Sequence, residues 1–303
     1  MKDMDKPVLI TGASTGIGRK TTELLVENGK HVFACARKEK DLGELNKLPN
    51  TTAFRLDVTK NDQIAKVSKQ IKDLGTGLYG LVNNAGIVNV GPIFTHSEEA
   101  VYEMFDINVF GVQRITNAML PFLFKSKGRI VNISSISGVL TSPYMGLYSM
   151  SKHALEAYSD ALFLNLKEAG IEVSIIEPGN FKSEIGKTMY ERRKVEKKEL
   201  RVFMTDEQRD MQLKEIEKNF ARPDPDPEPV VVAEAIYDAL YSDNPKPRYL
   251  VTGKQEEAER VMRKMFQELT QMNFNHNHSY ERDELIQFLD DALKARSEKR
   301  KIV

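Results

Sequence analysis

Short apolar segments alternate with helical patterns through the first 180 residues, and this alternation constrains the fold more than any other feature of the chain. The segments are PVLIT (from Pro7), KHVFACA (from Lys30), TAFRLDV (from Thr52), GLVNNAG (from Gly80), GRIVNIS (from Gly128) and IEVSIIEPG (from Ile171). They are apolar on both faces and as long as buried parallel strands, whereas a half-exposed strand would alternate apolar and polar residues. Helical patterns fill 16–28, 60–74, 97–125 and 147–169. Parallel neighbours cannot be joined by a hairpin, so the helices must serve as crossovers that cover the two faces of one sheet. RYLVTG, residues 248–253, reads as one more strand. The expected fold class is α/β, a seven-stranded parallel sheet flanked by helices.

Two regions depart from this rhythm. Residues 184–227 are dense in charge and end in ARPDPDPEP, whose prolines forbid a regular helix or a central strand. They are expected to form a substrate lid and a stiff connector within a domain spanning 1–253. Residues 254–303 read as a helical C-terminal extension with two apolar stripes, one from Val261 to Leu269 and one from Leu285 to Leu293. Lys plus Arg equals Asp plus Glu at 44 each, which removes the electrostatic case for a nucleic-acid partner. Cys35 is the single cysteine, so no internal disulfide can form. His276 and His278 have no further histidine or cysteine near them in sequence, so no metal site is expected. No apolar run is long enough for an integral membrane segment or a signal peptide, and a cytoplasmic protein is the default expectation.

The first strand runs into TGASTGIGRK, with Gly12, Gly16 and Gly18. Neither G-x-G-x-x-G nor a P-loop is present. The physics of the turn survives the different spacing: glycines let a phosphate approach the backbone, and the following helix offers free N–H groups and a positive dipole end. In open parallel sheets, ligands lie beyond the carboxyl ends of the strands. Those ends here carry Arg37, Asp57 and the run NNAG at 83–86.

Further on, YSMSK places Tyr148 and Lys152 four apart, on one face of a helix. A second such pair, Tyr190 and Lys194, lies in a charged stretch and lacks an upstream serine at the matching place. With TGASTGIG at 11–18, NNAG at 83–86, NVFG at 108–111, NISSISG at 132–138, YSMSK at 148–152 and PGNFKS at 178–183, the chain resembles the short-chain dehydrogenases/reductases. Within them it looks most like the 17β-hydroxysteroid and retinol dehydrogenase-like branch. The resemblance covers about 7–185 and resumes near 228–253. It implies a single-domain Rossmann fold, hydride transfer between a nicotinamide and a carbonyl or alcohol, and a homodimer or homotetramer.

The resemblance also implies site roles. Asn108, Ser135, Tyr148 and Lys152 correspond to the catalytic tetrad. Gly12, Ser14, Thr15, Gly16, Ile17 and Gly18 would cradle the pyrophosphate. Arg37, Asp57, Val58, Asn84, Ala85 and Gly86 would line the adenosine side. Tyr148, Lys152, Pro178, Gly179, Phe181 and Ser183 would hold the nicotinamide side. Val139, Tyr144 and Met145, with Ser135 and Tyr148, would meet a small-molecule substrate, and their apolar character suits an apolar one. The second strand ends at Ala36, where an enzyme that uses NAD carries Asp or Glu to accept from the ribose hydroxyls. Arg37 follows, and a guanidinium suits the extra phosphate of NADP, so NADP is expected over NAD. A free tyrosine has a pKa near 10, and the Lys152 ammonium is expected to lower it. Two other readings of the fold are a non-catalytic dinucleotide sensor and an enzyme that remodels nucleotide sugars. The complete tetrad argues against the first and the glycine spacing against the second.

Overall fold

The computed structural model describes residues 6–183 and 226–297, together with Thr205, Glu207, Gln208, Asp210, Met211 and Lys214. Nearly all of the expected lid, and the pair Tyr190 and Lys194, lie outside the described residues.

Seven strands form one sheet: β1 (Val8–Ile10), β2 (Val32–Ala36), β3 (Thr51–Arg55), β4 (Gly80–Asn83), β5 (Arg129–Ile133), β6 (Glu172–Pro178) and β7 (Arg248–Val251). Their spatial order is β3-β2-β1-β4-β5-β6-β7, and every pairing is parallel. The order reverses between β1 and β4, which is where such sheets open a crevice at their carboxyl ends. The helices are α1 (Gly16–Glu27), α2 (Glu39–Leu45), α3 (Asn61–Leu74), α4 (Glu98–Phe105), α5 (Gly111–Ser126), α6 (Gly146–Leu166), α7 (Val230–Tyr241), α8 (Gln255–Met272) and α9 (Arg282–Ser297).

The pleat explains why the central strands carry apolar residues on both faces. Val8 and Ile10 join one core with Val32, Ala34, Val131 and Ile176, beneath Leu25 of α1, Leu42 of α2 and Ile236 of α7. Leu9 points the other way, into a core with Phe33, Leu81 and Ile130, beneath Val67 of α3, Ile115 of α5 and Leu166 of α6. Each fully buried Leu, Ile or Phe contributes roughly 1.5–3 kcal/mol of hydrophobic stabilisation before entropy is set against it.

The structure departs from the sequence reading at two places in this frame. Residues 97–125 are not one helix: α4 and α5 are separated by a π-helical turn over Asp106–Phe110. In addition, α2 forms at Glu39–Leu45, with Glu39 and Asp41 in its first turn.

The chain divides into two compact units, Met1–Ala258 and Glu259–Val303. In the second unit Tyr280 and Phe288 pack edge to face, and Asn273 and Tyr280 exchange hydrogen bonds. His276 and His278 lie in an exposed turn, where His276 Nδ1 accepts from the backbone N–H of His278. No helix among the described residues is long and apolar enough to cross a membrane.

Candidate active site

The glycine turn lies at the carboxyl end of β1, opposite β4, and one threonine ties the two together. Thr11 Oγ1 accepts from the backbone N–H groups of Asn84 and Ala85, each at 3.0 Å. Asn84 Nδ2 donates to the carbonyls of Thr11 and Gly12, both at 2.9 Å. The Asn84 amide therefore holds the turn from behind. The sequence reading gave Thr11 no site role, because that role comes from a strand distant in sequence. A Cβ on Gly18 would lie 2.4 Å from both Gly12 O and Asn84 Nδ2, so only glycine lets helix and strand meet here.

The first turn of α1 has neither a side-chain cap nor an acidic residue. Its N–H groups therefore remain available to an anion. Across the switch point, a Cβ on Gly86 would stand 3.3 Å from Asn108 Oδ1 and 3.9 Å from Lys152 Nζ. The bare glycine leaves that space open in front of the lysine. Ser183 closes the other side, with its Cβ 3.2 Å from where a Gly16 Cβ would be. Open N–H groups, a glycine floor and a facing wall fit a dinucleotide.

Arg37 is exposed at the end of β2 and has no ion pair among the described residues. The neighbouring Glu39 is engaged by Arg55. Asp57 sits within electrostatic reach of Arg37, and Thr59 donates to its Oδ1 through both N–H (2.9 Å) and hydroxyl (2.8 Å). These bonds keep its carboxyl below the ordinary range against the opposing effect of burial, which is the largest contribution. One oxygen of Asp57 thus caps its own turn. Val58, beside it, is buried.

The chemistry-bearing side chains come from β5 and α6. Tyr148 and Lys152 share one face of α6, and Lys152 Nζ lies 5.6 Å from the Tyr148 ring centre. Lys152 is buried and donates to the carbonyl of Ile133 at 2.8 Å. Burial pulls its pKa down to about 8, against the pull of Glu156 in the other direction. Burial pushes Tyr148 up to about 12, and a hydrogen bond with Ser135 only partly offsets this. The ammonium was expected to lower the tyrosine, whereas in this packing burial of the phenol raises it. Ser135 also caps the short turn Ile136–Gly138 by accepting from Ser137 N–H at 3.1 Å.

Asn108 sits in the π turn, and both ends of its side-chain amide are bonded. Its Oδ1 accepts from Ile87 N–H at 2.9 Å, and its Nδ2 donates to Ile87 O at 2.9 Å and to Ser151 Oγ at 3.0 Å. A side chain so engaged acts as a clamp between β4's exit and α6. Ser151 links this clamp to the tyrosine by donating to Tyr148 O at 2.7 Å, a role absent from the sequence reading.

Of the expected substrate residues, Met145 packs with Tyr148 against Val88 and Val90, which the sequence reading did not single out. Tyr144 reaches the same loop through its carbonyl, which accepts from Gly91 N–H at 2.9 Å. Val139 ends the Ile136–Gly138 turn and stays outside that cluster. One helical turn beyond Lys152, the buried Glu156 begins a partly buried ionic group. Arg248 donates to Glu156, to Glu177 Oε1 at 2.7 Å and to both oxygens of Asp160 at 2.7 Å. Burial and the neighbouring Glu156 raise Glu177 to about 7, with Arg248 opposing them.

A switch-point crevice with an open glycine turn places the protein among the dinucleotide-binding α/β proteins. Residues 6–194 match the family model for short chain dehydrogenase, and the chain belongs to that family. The uncharacterized oxidoreductase YbbO of Escherichia coli (strain K12) is 39% identical over 180 residues, covering 59% of this chain and 66% of that protein. The 17-beta-hydroxysteroid dehydrogenase type 6 of Mus musculus is 39% identical over 189 residues, covering 60% and 58%. The chain thus spans less than two-thirds of the length of these curated relatives. A short-chain dehydrogenase structure from Streptomyces avermitilis superposes with TM-score 0.72 at 28% identity, covering 88% of this chain and 94% of that one. ElxO with NADP bound gives TM-score 0.65 at 27% identity, covering 82% and 97%. A Burkholderia phymatum protein in complex with NAD shares the fold at TM-score 0.72 and 22% identity, covering 93% and 100%.

Proposed function

We propose that this protein transfers hydride between NADP and the carbonyl or alcohol group of an apolar small molecule, such as a steroid, a retinoid or another hydrophobic ketone or aldehyde. One observation carries the reading. The Ser135 and Tyr148 hydroxyls meet beside a lysine anchored on Ile133 O, and the wall next to them is Val88, Val90 and Met145.

Residues of the turn from Gly12 to Gly18 would hold the pyrophosphate, while Arg37, Asp57, Val58, Ala85 and Gly86 would line the adenosine side. Lys152 and the stretch Pro178–Ser183 would hold the nicotinamide side. When bound, the cofactor supplies or accepts the hydride. The remaining chemistry belongs to the chain. Ser135 donates a hydrogen bond to the substrate oxygen and holds it against the phenol. Tyr148, neutral at pH 7, gives its proton to that oxygen as charge builds there: the phenolic O–H bond breaks and the substrate O–H bond forms. The Lys152 ammonium then stabilises the phenolate. Arg37, and Ala36 in place of a carboxylate, support NADP over NAD.

A panel of ketones, aldehydes and alcohols with NADPH, NADH and their oxidised forms tests the reading. Turnover of apolar carbonyls with NADPH is expected. Dinucleotide binding without turnover of any panel member would instead support a sensor. The protein is also proposed to be a homodimer or homotetramer built through α5 and α6, where Phe124, Met150 and Leu164 stay exposed. A monomer by light scattering at micromolar concentration would refute that assembly.

A further inference from the structure

The stretch that leaves β6 is held from outside the region the family model covers. Glu257, in the first turn of α8, is 7% exposed, whereas its neighbour Glu256 faces solvent. Its carboxylate accepts from Asn180 N–H at 3.3 Å through Oε1 and 3.4 Å through Oε2, and from the Asn180 side-chain amide through Oε1. A Cβ on residue 179 would lie 2.3 Å from Glu257 Oε2, so the carboxylate can dock only against glycine. Gly179 N–H in turn donates to Val251 O at 2.8 Å, and Lys182 N–H donates to Pro227 O at 2.9 Å. Phe181 is buried between these ties, and Ser183 ends against Gly16. The position of Ser183 over the glycine turn is therefore set by what grips residues 179–182.

Glu257 suits this task chemically. An ionised carboxylate accepts hydrogen bonds about twice as strong as a neutral acceptor does. The N-terminal end of α8 favours the negative charge there. Its two oxygens reach both the main chain and the side chain of one residue, which fixes the path of the loop as well as its distance.

We propose that Glu257 is a positioning residue for the dinucleotide, gripping Asn180 so that Gly179–Ser183 are held over the nicotinamide end of the site. This rests on the reading of the site as a dinucleotide site. It predicts that the carboxylate matters to the nicotinamide half of the ligand and not to the adenosine half.

The test uses the full chain and two ligands, NADPH and 2′,5′-ADP, which has the phosphorylated adenosine but no nicotinamide. Binding is measured by NADPH fluorescence and by calorimetry, and hydrogen exchange at 179–183 is followed without ligand. Glu257→Ala is expected to weaken NADPH at least tenfold, leave 2′,5′-ADP within twofold, and speed exchange at 179–183. Glu257→Gln keeps one acceptor and should fall between wild type and Glu257→Ala. Asn180→Ala removes only the side-chain donor and should weaken NADPH about threefold, which keeps the test open if Glu257→Ala folds poorly. Wild-type NADPH affinity in Asn180→Ala and either Glu257 variant overturns the proposal, as does an equal loss for both ligands. If wild-type protein binds neither NADPH nor NADH, the dinucleotide reading falls and this proposal with it. Binding by wild type with no effect of the variants removes this proposal alone.

Discussion

Replacing Arg37 by alanine tests the cofactor reading most directly. Arg37 is exposed at the end of β2, next to the buried Ala36, and the nearest acid in sequence, Glu39, is engaged by Arg55. Glu39 therefore does not hold the guanidinium, which under the proposed reading would meet a phosphate on the adenosine ribose. Two unit charges about 4 Å apart attract by roughly 1 kcal/mol in water and about 4 kcal/mol at an effective dielectric constant near 20. An exposed arginine lies toward the watery limit, but a phosphate carries more than one charge and can accept two N–H groups at once. A loss of about 1.4 kcal/mol or somewhat more follows, which is tenfold or more in affinity. Arg37→Ala should therefore raise KM for NADPH at least tenfold with kcat little changed, because the contact is the same in ground and transition states. NADH, which lacks the phosphate, should be nearly indifferent. Steady-state kinetics with both cofactors, repeated at high salt, is the assay. The gap between wild type and variant should shrink with salt, since the Debye length falls to about 3 Å at 1 M. Faster wild-type turnover with NADH at low cofactor concentration would refute the reasoning, and so would equal losses for the two cofactors.

Other outcomes follow from the same geometry. Tyr148→Phe should abolish turnover while NADPH affinity stays within about threefold, a tenfold shift being roughly 1.4 kcal/mol; retained activity in a rate assay would remove the tyrosine from the chemistry. Lys152, pulled down to about 8, is charged below that pH and loses its proton above it, so kcat/KM for reduction should fall above about pH 8. Tyr148, near 12, adds no limb in that range, and a profile flat to pH 9.5 would contradict the assignment. Glu177 holds a proton in the fold up to about pH 7, while the unfolded chain releases it near the ordinary 4.5. Its contribution to stability therefore declines as pH rises through that window. Glu177→Gln should raise Tm relative to wild type at pH 8 and less so at pH 5; an equal difference at both pH values in thermal unfolding would count against the buried proton.

The alternation of apolar and helical segments determined the parallel sheet, and each of the seven strands lies where its apolar run placed it. That much is legible because a run apolar on both faces is stable only between two helical layers. The glycine turn, Ser135, Tyr148 and Lys152 were legible as motifs for a related reason: their spacing on one turn or one helix face is a local property. The π turn at Asp106–Phe110 was hidden, since one extra residue in a helix scarcely alters its apolar pattern. The work done by Thr11, Asn84 and Ser151 was hidden as well, because each bonds to a partner far along the chain. Charge shows the divide most clearly. The sequence supplies a lysine four residues from a tyrosine, and from that pair alone the phenol should be lowered. Packing puts that phenol against Val88, Val90 and Met145 and sends the ammonium to Ile133 O, so the phenol is raised instead. Spacing is written in neighbouring residues, whereas desolvation depends on which distant residues exclude the water, and only the folded chain decides that.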